Sequence, residues 1–229
     1  MPTILRLDAS IRDAGSVTRA LADRLETQLV AAQPDTTIVR REIGLSPLPA
    51  TAWAGAVFGP HTPEAERTPE QREGMALATT LVDDLVAADA YIFAVPFYNF
   101  GVSQHFKTYI DLALTDPRVG PGGATALEGR PAQLVTARGG GYGPGTPRHG
   151  WDHGTAWYRR MLEDVLKLDV TLIECELTLA DVTPAMAELR GMAADNLARA
   201  HQSAEDLGRR LARRLAAPLP ALDLARTGS

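Results

Sequence analysis

The chain has 229 residues, 45% of them apolar and 22% charged, with 28 acidic against 23 basic side chains and a formal net charge of −5. That size allows one domain with a full apolar core, and the lack of a basic stripe argues against nucleic acid as the main partner, because neutralising phosphates needs clustered Lys and Arg. Cys175 is the single cysteine, which excludes a disulfide scaffold and a cysteine-based zinc site; it lies in an apolar stretch and reads as a buried core thiol.

The sequence opens directly on a strand pattern, residues 3–9, an apolar run interrupted by Arg6 and Asp8. It shows no basic region, apolar signal core or cleavage site, and no run of about 18 apolar residues, so the expectation is a soluble, cytoplasmic protein with no membrane partner. Residues 17–33 carry Leu21, Leu25 and Leu29 at helical spacing behind Ser16, a natural N-cap. Residues 36–42 alternate as a strand. Residues 43–68 hold many prolines and glycines and no period, and a connection this long is often functional. Residues 69–88 follow as a helix with Thr68 as cap and Pro69 in the first turn. Then come a strand at 90–95, a short helix at 103–114 capped by Ser103, a strand at 131–137, a helix at 155–167 and a strand at 169–177. Residues 184–215 form a long final helix rich in Ala and Arg. The expected division is one domain over residues 1–215 and a frayed or surface-draped tail over 216–229. Strands alternating with helices predict an α/β fold, a doubly wound five-stranded parallel sheet with helices on both faces, in the flavodoxin-like order 2-1-3-4-5.

Three strand ends carry the chemistry. In the first turn Ser10, Ser16 and Thr18 offer hydroxyls and Val17 opens a helix, whose free amides and dipole suit a phosphate. Neither a Gly-x-x-x-x-Gly-Lys-Ser/Thr stretch nor a Gly-x-Gly-x-x-Gly occurs there, so a small phosphate monoester fits better than a nucleoside triphosphate; plain capping by Ser16 explains some of the same residues. The second turn reads Pro96-Phe97-Tyr98-Asn99-Phe100-Gly101. Tyr98 and Phe100 offer ring faces, Asn99 a donor and an acceptor, and Gly101 close backbone approach, although packed core aromatics would look similar. The third turn, Arg138-Gly139-Gly140-Gly141-Tyr142, exposes amides that can face a ligand oxygen. Two such turns on neighbouring strands point to a planar cofactor, flavin first. His149 and His153 are separated by Gly150 and precede Gly154, which breaks any helix, so a metal pair is not expected. Tyr142, Trp151 and Trp157 read instead as a substrate-pocket wall. There is no Gly-x-Ser-x-Gly elbow and no cysteine in the first turn, so hydrolysis has no positive signal.

Together, Ser10 with Ser16-Val17-Thr18, the Pro96 to Gly101 turn followed by Lys107 and Asp111, and Leu127-Glu128-Gly129-Arg130-Pro131-Ala132 leading to Ala137-Arg138-Gly139-Gly140 resemble the FMN-dependent NAD(P)H azoreductase and quinone reductase family over roughly residues 3–200. The resemblance implies a homodimer with FMN near the subunit interface. By it, Ser10, Ser16, Val17 and Thr18 hold the phosphate, Phe97, Tyr98, Asn99 and Phe100 line the ring, and Ala137, Arg138, Gly139 and Gly140 meet its pyrimidine end. It further implies ping-pong hydride transfer from NADH or NADPH to a quinone, azo compound or related aromatic acceptor, with no obligatory catalytic side chain. Phe97 stands where the family often has Met and Ala137 where Ser is usual. The loop 43–68 brings Trp53 and Phe58, and the segment 141–154 is unusually rich in Gly, Pro, Trp and His, so the pocket walls, with Trp53, Phe58, Tyr142 and Trp151, point to a specialised acceptor. The alternative is a non-catalytic flavodoxin-like electron carrier or flavin-binding regulator; carriers are typically strongly acidic, and the modest charge favours a covered pocket.

Overall fold

Apolar side chains on both faces bury the strands. The computed structural model describes residues 1–217 apart from Pro121 and Pro147. The elements run β1 (Thr3–Asp8), α1 (Val17–Ala32), β2 (Thr37–Glu42), α2 (Ala52–Phe58), α3 (Pro69–Ala87), β3 (Ala90–Ala94), α4 (Gln104–Ala113), β4 (Pro131–Ala137), α5 (Thr155–Arg159), β5 (Asp169–Cys175) and α6 (Arg190–Ala216). The described strands form one five-stranded sheet in the order β2-β1-β3-β4-β5, every pairing parallel, as the sequence predicts.

Strand periodicity splits the core in two. Leu5, Leu7, Tyr91 and Phe93 face Leu81 and Leu85 of α3, Phe106 of α4 and Tyr158 of α5. Ile4, Ile92 and Val135 face Leu21 and Leu25 of α1 and Leu207 and Leu211 of α6. Parallel strands covered on both faces read as near-continuous apolar runs, and β1 breaks the rule: Arg6 and Asp8 are buried on the α1 side, joined to each other at 2.9 Å. Arg6 also meets Glu26 at 3.0 Å, which keeps the buried charge paired.

The caps explain the helix starts. The Ser16 hydroxyl accepts the Arg19 amide at 3.4 Å. Thr68 and Gln71 form a reciprocal capping box, 2.9 and 3.3 Å, ahead of Pro69. Ser103 occupies the start of α4 but its hydroxyl caps nothing; its amide donates to the Tyr158 hydroxyl at 3.1 Å instead.

Three expectations are corrected. The connection 43–68 is not structureless: it contains α2, a seven-residue helix too short to show a period. Tertiary packing holds it, since a methyl on Gly74 would sit 2.5 Å from the Ala52 carbonyl of α2. The helix expected over 155–167 is α-helical only to Arg159 and then widens into a π-turn, Arg160–Val165, where the Leu166 amide reaches the Met161 carbonyl at 2.9 Å. The final helix begins with a 3-10 segment, Pro184–Leu189, and becomes α-helical at Arg190. From residue 218 onward the expected tail lies outside the described residues. No described helix is long and apolar enough to cross a membrane.

Candidate functional site

The parallel register ends β1, β3 and β4 side by side, so the turns that follow them converge where ligands bind in open α/β sheets. The loop after β1 is held from behind. Arg19 of α1 donates to the Ser10 carbonyl at 2.8 Å and the Arg12 carbonyl at 3.0 Å, and its guanidinium pairs with Glu42 at the end of β2, also at 2.8 Å. Glu42 accepts the Gly44 and Leu45 amides at 2.8 and 2.9 Å. The hydrogen bond that Arg19 donates to Glu42 raises the Arg19 pKa. Burial pushes the Glu42 carboxyl up, but Arg19 and the two amides outweigh it and hold the group below the usual carboxylate range. Gly44 has no alternative residue: a methyl there would overlap the Ser10 carbonyl.

After β3, the Phe97 amide donates to the Ala137 carbonyl at 3.0 Å, locking the second turn onto the third. Tyr98 and Gly101 then exchange backbone bonds of 3.3 and 2.9 Å around Asn99 (φ 47°) and Phe100 (φ 67°). Two central residues in the left-handed region make a type I′ turn, which Asn tolerates and Phe occupies under strain. The Tyr158 hydroxyl donates to the Pro96 carbonyl at 3.3 Å beneath this turn, and burial raises its pKa.

After β4, the Arg138 carbonyl accepts both the amide and the hydroxyl of Thr178 at 3.1 Å, and the Gly139 carbonyl accepts the Leu179 amide at 3.2 Å. The Gly139 and Gly140 amides have no acceptor among the described residues. The Arg138 side chain is buried among Glu174 (2.5 Å), Asp152 (2.9 Å) and Glu176 (3.0 Å). Burial disfavours its charge, yet the carboxylates outweigh this and raise its pKa. Cys175 is buried as expected, its thiol pushed up to about 11 by burial and by Glu176.

The three turns enclose a cavity of ≈ 210 Å³. Of the residues singled out by sequence, Ser10, Ser16, Val17, Thr18, Phe97, Tyr98, Ala137 and Gly139 line it. Pro96, at the start of the second turn, and Arg12 also line it, as do Gly15, Thr178 and Leu179, which were not foreseen. A wider groove of ≈ 700 Å³ lies on the other side of the first loop. Its arginines, Arg6, Arg19 and Arg40, are all ion-paired, so the smaller cavity offers the better supply of free donors.

The sequence matches the model of a family described as having a flavodoxin-like fold over residues 2–216. It is 37% identical over 190 residues to an FMN-dependent NADH:quinone oxidoreductase of Frankia alni, covering 82% of this chain and 90% of that one. The chain belongs to the FMN-dependent NADH:quinone oxidoreductase family. A second relative so named, from Parafrankia sp., is 33% identical over 208 residues, covering 90% of this chain and 98% of its own. Among solved structures, an FMN-dependent NADH-azoreductase from Bacillus anthracis in complex with FMN shares the fold, with a TM-score of 0.73 at 18% identity over 92% of this chain and 99% of that chain.

In this member of the oxidoreductase family, four predicted cofactor residues stand outside the cavity lining: Asn99, Phe100, Arg138 and Gly140. Asn99 is exposed at the turn tip, where its backbone conformation is what the turn requires. Arg138 is turned onto carboxylates. Phe100 instead joins an aromatic rim: its ring lies edge-on to Trp151 at 5.3 Å and to Tyr142 at 6.3 Å, and Tyr142 meets Phe97 at 5.1 Å. Three expected wall residues are elsewhere. Trp53 (49% exposed) and Phe58 (61% exposed) stand on the outer face of α2, because that helix turns Gly55 and Ala56 toward α3. Trp157 packs against Phe106 at 6.3 Å, beside the core. Arg19, Glu42, Gly44 and Tyr158 were missed by sequence reading, since their roles arise from contacts between distant segments. The one available signal was Gly44, two residues past a strand end.

Proposed function

We propose that this protein binds FMN in the cavity between the three turns and uses NADH to reduce quinones, azo compounds or related aromatic acceptors by two electrons. The observation that carries this reading is the convergence of free donors at both ends of one cavity, in a chain whose relatives are named FMN-dependent NADH:quinone oxidoreductases. The residues fit the cofactor. The first-turn amides of α1 lack intrahelical acceptors, and with the Ser10, Ser16 and Thr18 hydroxyls and Arg12 they suit the phosphate. Val17, Phe97, Tyr98 and Leu179 supply apolar wall for the ring. The Gly139 amide suits its pyrimidine oxygen and would stabilise negative charge there. Arg138 serves by positioning this glycine turn. Bound FMN supplies the two-electron relay between nicotinamide and acceptor. The overall balance is NADH, a proton and a quinone giving NAD⁺ and a hydroquinone. No side chain in the cavity need act as an obligatory acid or base.

The cavity is smaller than the roughly 300–1,000 Å³ usual for ligand sites. This favours a homodimer in which a second copy covers the ring, and a ping-pong order in which the oxidised nucleotide leaves before the acceptor enters. The test is the visible spectrum of the FMN-loaded protein before and after anaerobic NADH, with NADPH alongside. Flavin bands that bleach, and recover when a quinone is added, support the reductase. Bands that persist with both nucleotides favour an electron carrier or a regulator. A protein that takes up no FMN defeats the reading. Light scattering of the loaded protein at micromolar concentration tests the dimer, and a monomer overturns it.

A further inference from the structure

The Arg148 guanidinium lies over the Phe100 ring, 5.6 Å from its centroid. It also lies against the glycine turn after β4, where a methyl on Gly140 would come within 2.7 Å of its Nη1. Unlike Arg6, Arg19 and Arg138, which are ion-paired, Arg148 has no acceptor among the described residues. The nearby carboxylates are already engaged: Asp152 and Glu176 both bind Arg138, and Glu176 also accepts the Tyr142 amide at 3.1 Å. A permanently charged fork without a counter-ion is thus held beside the cavity, one residue outward from Gly139 on one side and two from Tyr98 on the other.

The surface around it is aromatic. Phe100 is 36% exposed and Trp151 51% exposed, and Tyr142 connects Phe100, and through it Trp151, to Phe97 inside the cavity. The strained backbone at Phe100 keeps its ring on this rim, and strain of that kind concentrates at ligand sites. A flat ligand leaving the cavity would meet this aromatic rim, with the Arg148 cation lying over the Phe100 face.

We propose that Arg148 binds the anionic substituent of a planar aromatic acceptor, so that this protein favours carboxylated or sulfonated quinones over their neutral parents. The inference rests on the reductase reading and names the acceptor class for the same site. Guanidinium and carboxylate or sulfonate form paired, charge-assisted hydrogen bonds, and the Phe100 face pre-orients the fork for them.

The experiment compares 1,4-naphthoquinone with 1,4-naphthoquinone-2-sulfonate on the FMN-loaded protein, for the natural chain, Arg148→Met and Arg148→Lys. The ratio of kcat/KM for the sulfonate to that for the parent should fall about tenfold in R148M, the size of a lost charge-assisted bond, and recover in part in R148K. The ratio in the natural chain should also decline with added salt. Calorimetric affinity of the oxidised protein for each quinone is measured in parallel and should show the same loss. It does not depend on turnover, so if neither quinone is reduced the reductase reading fails while this binding difference still decides the inference. A ratio and an affinity difference unchanged in R148M overturn it. So does a rise in KM for NADH with no change toward the sulfonate, which would make the nucleotide phosphates the partner of Arg148.

Discussion

The Tyr98 hydroxyl accepts the Ile11 amide at 3.2 Å, fastening the aromatic turn after β3 to the hydroxyl-rich loop after β1. One bond therefore couples the part of the cavity suited to a ring with the part suited to a phosphate. Tyr98→Phe keeps the ring and removes the bond, worth about 1 kcal/mol. FMN affinity, followed by quenching of flavin fluorescence, should fall about fivefold with little change in thermal stability. An unchanged affinity would mean the bond serves only the loop.

Gly44→Ala should be far more damaging than an exposed glycine-to-alanine change. Its methyl overlaps a backbone carbonyl, Ser10, and not the end of a flexible side chain. Overpacking against rigid backbone costs up to about 3 kcal/mol, so urea denaturation should shift by that order. Gly143→Ala, with open space around the new methyl, is the control and should stay within about 0.5 kcal/mol.

Arg138→Leu leaves Asp152, Glu174 and Glu176 facing one another without their cation. Removing one partner of a buried pair costs about 3–5 kcal/mol. The Glu174 side chain is 42% exposed and partly screened by water, so about 2–3 kcal/mol is expected in chemical denaturation. Arg138→Lys should recover only part, because a single ammonium cannot replace a fork that spans β5 and the 141–154 segment.

Acid should destabilise the protein through two carboxylates, Asp152 just ahead of α5 and Glu42 at the end of β2. Burial pushes the Asp152 carboxyl up, but the Thr155 and Gly154 amides, the Thr155 hydroxyl and Arg138 outweigh it and hold the group below its usual range. Glu42 is lowered in the same net sense. Each folded pKa lies below its unfolded value of about 4, so the stability they contribute is complete above about pH 4–5 and is lost as pH falls through the folded values. Melting temperature against pH should drop steeply on that side, and Asp152→Asn should flatten the slope. A profile identical to that of the natural chain would remove Asp152 from the account.

The sheet order, the helix caps at Ser16 and Thr68 and the three converging turns were legible because each is local: periodicity, one hydroxyl, one glycine or aromatic cluster. The residues that stand away from the cavity lining share a physical cause. Trp53 and Phe58 were assigned to the pocket by residue type, yet α2 orients them through its packing on α3, a contact between segments far apart in sequence. Asn99 looked like a polar group needing a ligand, but a two-residue turn needs left-handed backbone, and Asn suits that need. Arg138 sat within a binding motif, yet its partners come from β5 and from Asp152, invisible to spacing. Gly44 was missed because only the strand pairing brings up the Ser10 carbonyl that leaves no room for a side chain there.

The Arg19 clamp on the Ser10 and Arg12 carbonyls has a thermodynamic reach beyond geometry. A loop that must be ordered by its ligand surrenders roughly 1–2 kcal/mol of backbone entropy per residue on binding. Here the shape of the loop is set by protein groups, the Arg19 guanidinium and its Glu42 partner. Loading is then closer to insertion into a finished mould than to coupled folding, with a small heat-capacity change and an affinity that responds more to ionic strength than to temperature.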